Sequence, residues 1–174
     1  MTTIRRAQLM DAPGIAGVHV ATWRSAYAGI LPEAYLARLS VNRQTGSYLM
    51  AMQSGVGVHV ALDNDGSPPR VIGFATARRH HPAHTNGAGE IETLYVLDDW
   101  RDRGIGRRLV QASARWLAEQ GCASMFLWVL RDNPNRWFYA RLGGTLASEQ
   151  AIRVGGQDVI QTAYTWPDIA PLLA

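Results

Sequence analysis

Glu90-Ile91-Glu92-Thr93-Leu94-Tyr95-Val96, then Leu97-Asp98-Asp99-Trp100, then Arg101-Asp102-Arg103-Gly104-Ile105-Gly106-Arg107-Arg108 is the stretch on which the fold turns. Its first seven residues alternate acidic or polar with apolar side chains and end on β-favouring types, so they read as a strand. Beyond the polar turn, Ile105, Leu109, Ala112, Trp116 and Leu117 recur at the spacing of a helix that lays one stripe on a sheet. Gly104 and Gly106 remove Cβ atoms at the mouth of that helix, where backbone amides point outward. Arg101, Arg103, Arg107 and Arg108 surround them. Free amides and guanidinium groups at a helix N-terminus make a site for a phosphate or pyrophosphate. Two familiar phosphate motifs are excluded: a P-loop needs a lysine and the chain has none, and the third glycine of a dinucleotide fingerprint would fall at Leu109.

What remains, Arg-x-x-Gly-x-Gly after a strand and opening a helix, resembles the pyrophosphate-binding motif of the GCN5-related N-acetyltransferases, which use acetyl-CoA. The resemblance implies that Arg101, Asp102, Arg103, Gly104, Ile105, Gly106 and Arg107 hold the cofactor phosphates. It implies that Leu94, Tyr95 and Val96 hold the pantetheine through strand amides, one of them freed by a bulge between Leu94 and Val96. It also implies an α/β single-domain fold over residues 1–174, with a mixed, mostly antiparallel sheet of about seven strands. In that fold two strands diverge into a V-shaped cofactor cleft.

The remaining segments fit that layout. Residues 3–7 read as a first strand, and Asp11-Ala12-Pro13 as a helix start with Asp11 at the N-cap. Its stripe runs Ile15, Val18, His19, Thr22, Trp23, Ala26, Tyr27; Pro32 opens a second helix and residues 43–52 a third. Residues 56–62 and 71–79 read as strands about an Asp/Gly/Pro turn, and 80–89 as an irregular loop. Residues 123–130 are apolar almost throughout and read as a strand buried on both faces. A short helix over 133–142 and a hairpin of 145–154 with 159–166 complete the order.

A second motif, Asn133-Pro134-Asn135-Arg136-Trp137-Phe138-Tyr139-Ala140-Arg141-Leu142-Gly143-Gly144, resembles the family's asparagine, short helix, Phe-Tyr and Leu-Gly. The resemblance gives Asn133 to the cofactor and makes Tyr139 the proton donor to the departing thiolate. Asn133 and Tyr139 stand six apart where seven is usual, leaving Asn135 as a rival to Asn133, and Gly144 stands where an aromatic is common.

Amine acylation explains the other residues wanted. An alkylammonium (pKa about 10) must lose a proton before it can attack, and a carboxylate nearby can take it. Glu90 and Glu92 share a strand face by parity, with Leu94 and Val96 continuing that side unless a bulge intervenes; Glu92 is preferred as the base because it lies deeper. Trp23, Arg24 and Tyr27 lie in a stretch that resembles the acceptor-side helix pair of one branch of the family. Trp23 and Tyr27 also fit plain core packing.

Composition narrows the classes. A net charge of +3 with seventeen scattered arginines does not make a nucleic-acid face. One cysteine, Cys122, excludes an internal disulfide framework and suits a reducing cytoplasm, and no apolar run reads as a signal peptide or membrane span. His80, His81 and His84 lack a supporting ligand pattern, so no metal is expected. The expectation is a cytoplasmic, bacterial-type acetyl-CoA-dependent N-acetyltransferase acting on a small-molecule primary amine by direct attack in a ternary complex. It has no nucleic-acid or membrane partner, and a homodimer is left open. A protein or peptide acceptor, or a silent acyl-CoA-binding module, is the alternative.

Overall fold

Seven strands and the helices between them follow the expected order in the computed structural model, which describes residues 1–174 apart from the side chains of residues 82 and 83. The elements are β1 (Thr2–Arg6), α1 (Ala12–Ala26), α2 (Glu33–Ala37), α3 (Val41–Gln53), β2 (Gly57–Asp63), β3 (Arg70–Arg79), α4 (Pro82–Thr85), β4 (Gly89–Val96), α5 (Ile105–Glu119), β5 (Met125–Leu130), α6 (Trp137–Arg141), β6 (Thr145–Val154) and β7 (Gln157–Trp166). They form one sheet in the order β1-β2-β3-β4-β5-β7-β6. Every neighbouring pair is antiparallel except β4 with β5. Among the described residues, no helix is long and apolar enough to cross a membrane.

The parallel pair creates the cleft. β4 and β5 register only at Gly89 with Met125 and Glu90 with Phe126, closed by the Gly89 amide donating to Ser124 O at 2.9 Å. Beyond that apex the strands part, leaving a V between the β1–β4 half and the β5-β7-β6 half. α5 crosses beneath it and ties the halves together: Val110, Ala114 and Leu117 join Ile91 of β4 and Met125, Leu127 and Val129 of β5 in one core. A Cβ on Gly89 would lie 2.4 Å from Leu117 Cδ2, so only glycine lets α5 press on the apex. α1 covers the opposite face, packing Ala12, Ile15, Ala16 and Val18 against Val58, Val60, Val71 and Phe74.

Several local expectations need correction. Asp11 stands at the α1 N-cap position but its carboxylate does not cap the helix. It accepts instead from the Arg5 guanidinium at 2.7 and 3.0 Å and from the Gln8 amide at 2.7 Å. A half-buried cation outcompetes a helix amide for the same oxygens. α3 begins two residues early, because Ser40 Oγ accepts from Arg43 N. The 80–89 segment contains one helical turn, α4. β5 is not buried on both faces: Met125, Leu127 and Val129 are buried while Phe126, Trp128 and Leu130 are only partly so. The second face looks over the cleft rather than onto a helix. Gly144, lacking the family's aromatic, has no room for one: a Cβ there would lie 2.6 Å from Trp166 Cζ2, so the Trp166 indole already fills that space.

Candidate active site

The V opens into a cleft of about 480 Å³, within the range of small-molecule sites. At one end lies the mouth of α5. Gly104 takes the N-cap position with φ 73°, a left-handed turn, and no side chain caps the helix. The first intrahelical bond of this turn runs from Arg108 N to Gly104 O. The amides of Ile105, Gly106 and Arg107 therefore open to the cleft they line. Asp102 also has positive φ, 58°, a conformation that aspartate tolerates better than most residues. Gly106 faces Phe138 of α6, whose Cζ would lie 3.1 Å from an added Cβ. Arg101 and Arg107 line the cleft, and Asp98 Oδ1 holds the Arg101 guanidinium at 2.6 Å. Arg103 is turned onto the Trp100 ring, 4.8 Å from its centroid, and does not line the cleft.

The middle of the cleft is the free edge of β4. Leu97 N–H donates to Ile72 O of β3 at 2.9 Å. Antiparallel alternation then turns the Tyr95 and Thr93 backbones toward β3, and those of Leu94 and Val96 into the gap that β5 has vacated. The splay, rather than a bulge at Leu94 to Val96, frees these amides. The bulge in β4 lies earlier. Thr76 pairs with Thr93 and Ala77 with Ile91, so Glu92 is the extra residue. It breaks the parity of the strand: Ile91 and Leu94, three residues apart, both pack on the α5 side, while Tyr95 joins Phe74 on the α1 side.

The two glutamates are consequently distinct, and depth does not separate them as expected. The Glu92 side chain is 31% exposed and that of Glu90 19%, because the bulge turns Glu92 outward while Glu90 stays beside the apex. Glu92 lines the cleft and accepts from Arg78 Nε at 2.8 Å. Glu90 lies outside the cleft lining, 2.5 Å from His80 Nε2, with that imidazole stacked on Phe126. Burial raises the Glu90 carboxyl above its ordinary value, the His80 contact pulling the other way.

Tyr139 projects from α6 into the cleft near Tyr27, and no hydrogen bond engages its hydroxyl among the described residues. Burial, then the neighbouring Tyr27 and Tyr164 phenols, push it above its ordinary value, so it remains a protonated donor. Asn133 and Asn135 both line the cleft. Asn133 Nδ2 donates to Tyr27 Oη at 3.4 Å, and its Oδ1 accepts from Asn135 N at 2.9 Å. Asn133 thus anchors the turn between β5 and α6.

The remaining wall comes from α1 and the β6–β7 hairpin. Trp23 and Tyr27 meet edge to face at 4.9 Å and line the cleft with Tyr95. Arg24 does not: its guanidinium donates to the carbonyls of Leu36, Ala37 and Leu39 and stabilises the end of α2. Gly155 and Gly156, both at positive φ, turn the hairpin tightly. Its tip rests on α2, where a Gly155 Cβ would lie 2.6 Å from Tyr35 Cγ. Gln157 Nε2 bonds Ile30 O at 3.1 Å. That arch brings Ile152 and Val154 over the cleft opposite Trp23. Trp128, Ile152 and Val154 were not among the residues singled out in the sequence. A strand face lining a gap has the same alternation as one packed on a helix, so periodicity carried no signal for them.

The residues fit a coenzyme A thioester. A glycine-lined anion turn, a free strand edge for amide pairing and an unpartnered phenol follow one another along a single cleft. The sequence profile of the acetyltransferase (GNAT) family matches residues 21–143. The chain belongs to that family, and it is an N-acetyltransferase. An uncharacterized N-acetyltransferase, YuaI, of Bacillus subtilis is 33% identical over 172 residues, covering 99% of this chain and 96% of its own. Among solved structures, a GCN5-related N-acetyltransferase of Rhodopseudomonas palustris superposes with a TM-score of 0.73 at 21% identity, covering 95% of this chain and 94% of its own. The PaiA N-acetyltransferase of Thermoplasma acidophilum, in complex with coenzyme A, gives 0.68 at 20% identity, covering 93% and 98%.

Proposed function

We propose that this protein acetylates the primary amine of a small molecule by direct attack within a ternary complex, with Glu92 as the base and Tyr139 as the donor to the departing sulfur. The arch of the β6–β7 hairpin onto α2 is the observation that carries the small acceptor. It narrows the acceptor half of the cleft with Ile152 and Val154, where a protein segment needs an open groove. Acetyl-CoA, when bound, supplies the activated acetyl group and a thiol leaving group.

The chain's own residues supply the rest. The α5 mouth and Arg107 hold the pyrophosphate, while Leu94 and Val96 pair with the pantetheine amides through their backbones. One of those strand amides donates to the carbonyl oxygen as charge builds on it. Glu92 takes the proton from the incoming ammonium. The Tyr139 hydroxyl donates to the sulfur as it leaves. A phenol held above its ordinary pKa is a weak acid toward a thiolate, so a strong hydrogen bond carries much of its effect.

Two measurements test this reading. Initial velocities with acetyl-CoA and a good acceptor should give intersecting lines, with no coenzyme A burst and no acetylated protein before amine is added. Parallel lines with an acetyl-protein intermediate would replace direct attack with a covalent route. Glu92→Gln should depress kcat/KM below about pH 8, where alkylamine is mostly protonated, and recover partly by about pH 9.5. Glu90→Gln should show the recovery less, being outside the cleft and held by His80. The opposite pattern exchanges the two roles, and recovery in neither removes both from proton transfer.

A further inference from the structure

The acceptor half of the cleft has an unusual charge inventory. Its walls are Trp23, Tyr27, Trp128, Leu130, Ile152 and Val154, none of which carries a charge. Among the described residues that line the cleft, the carboxylates are Asp102, in the turn before α5, and Glu92, which is already paired with Arg78 at 2.8 Å. Arg141, at the end of α6, adds a cation to the cleft lining. Glu90 is bonded to His80 and does not line the cleft. With Glu92 paired to Arg78, which does not line the cleft, the acceptor walls present no unpaired negative charge.

We infer that the natural acceptor is a monoamine carried on an apolar or aromatic body with no second charge. The inference rests on the amine-acetylating reading above and adds the substrate class to it. An amine must bring one nitrogen to Glu92, and that nitrogen sheds its charge on the way to attack. Everything attached to it then lies against indole, phenol and branched aliphatic surface. A second ammonium on a diamine, polyamine or aminoglycoside would sit among those side chains without a carboxylate, and an unpaired cation taken from water is costly. An apolar body of the same length gains burial there. Glu92 is thus one acid serving one nitrogen.

Matched acceptors test the class. With acetyl-CoA saturating at pH 8, kcat/KM is compared for hexylamine against 1,6-diaminohexane, and for phenethylamine against spermidine and kanamycin. The uncharged-body amine of each set should win by at least about 10-fold, a difference of roughly 1.4 kcal/mol or more. Ile152→Glu places a carboxylate on the wall from a half-exposed position of β6. It should raise the ratio of diamine to monoamine kcat/KM by at least about 10-fold, a change of preference that simple loss of structure cannot produce. Equal or better turnover of 1,6-diaminohexane, spermidine or kanamycin by the unaltered protein overturns the class while leaving amine acetylation intact. Unchanged preference in folded Ile152→Glu also overturns it, because that wall would then not meet the acceptor body. Binding of acetyl-CoA with turnover of no amine overturns the acetylation reading and the class together.

Discussion

Gly106→Glu is expected to weaken coenzyme A binding at least about 100-fold while leaving the protein folded. The new side chain would start in the first turn of α5, among the amides of Ile105, Gly106 and Arg107 that open to the cleft. It brings a like charge to a site built for a pyrophosphate, and several charge-assisted hydrogen bonds of about 1.5–3 kcal/mol each depend on that space. The helix itself should benefit, since an acidic residue in a first turn complements the macrodipole by about 0.3–1 kcal/mol. The Cβ meets only the Phe138 ring edge at 3.1 Å, which a small shift relieves. Gly104→Glu is a poorer test, because Gly104 has φ 73° and any side chain there is strained. Calorimetric titration of coenzyme A into folded Gly106→Glu gives the answer, and undiminished affinity would remove the phosphate from the α5 mouth.

Tyr139→Phe should cut kcat by roughly 10- to 1,000-fold and leave the KM for acetyl-CoA within a few-fold, the pattern of a hydrogen bond strengthened as the sulfur leaves. Deleting the hydroxyl orphans no partner, as none is bonded to it among the described residues, so stability should change little. The loss should be nearly constant across pH 7 to about 9.5, because burial keeps this phenol protonated there. The Glu92→Gln defect, by contrast, should fade with rising pH. Equal turnover by Tyr139→Phe and the unaltered protein would leave the thiolate to be protonated from solvent.

Much of the architecture was legible before folding because it rests on local patterns. The α5 stripe, the Gly104 and Gly106 pair and the alternation of residues 90–96 each follow from a rule spanning one or two turns of chain. The centre of the α5 stripe still moved. Val110, Ser113 and Ala114 are buried, while Ala112 and Trp116 flank the contact. A helix crossing an apex rotates to fit the two strand halves it bridges.

The candidate site was legible where residue type alone carries the chemistry. Tyr139, Glu92, Asn133, the anion turn, Trp23 and Tyr27 all come to one cleft. Arg24, Arg103 and Glu90 do not, since each finds a partner elsewhere: carbonyls at the end of α2, the Trp100 ring and His80. Those partners lie up to 15 residues away in sequence, and two of the three are reached only by chain reversal. A long polar side chain has no preference written in its own neighbourhood for one partner over another.

The sequence by itself determined the elements, the anion turn and the chemical groups available for transfer, because these depend on backbone propensity and on residue identity at short range. Only the tertiary structure decided how they act together. The bulge at Glu92 leaves Ile91 and Leu94 on one side of the sheet, through a register slip against Thr76 and Ala77 of another strand. The V exists because β4 and β5 pair at two positions and part, which no periodicity within either strand encodes. The β6–β7 hairpin walls one side of the cleft because Gly155 lets its tip settle on Tyr35, a contact across some 120 residues. Register, splay and closure are agreements between distant segments, and packing alone enforces them.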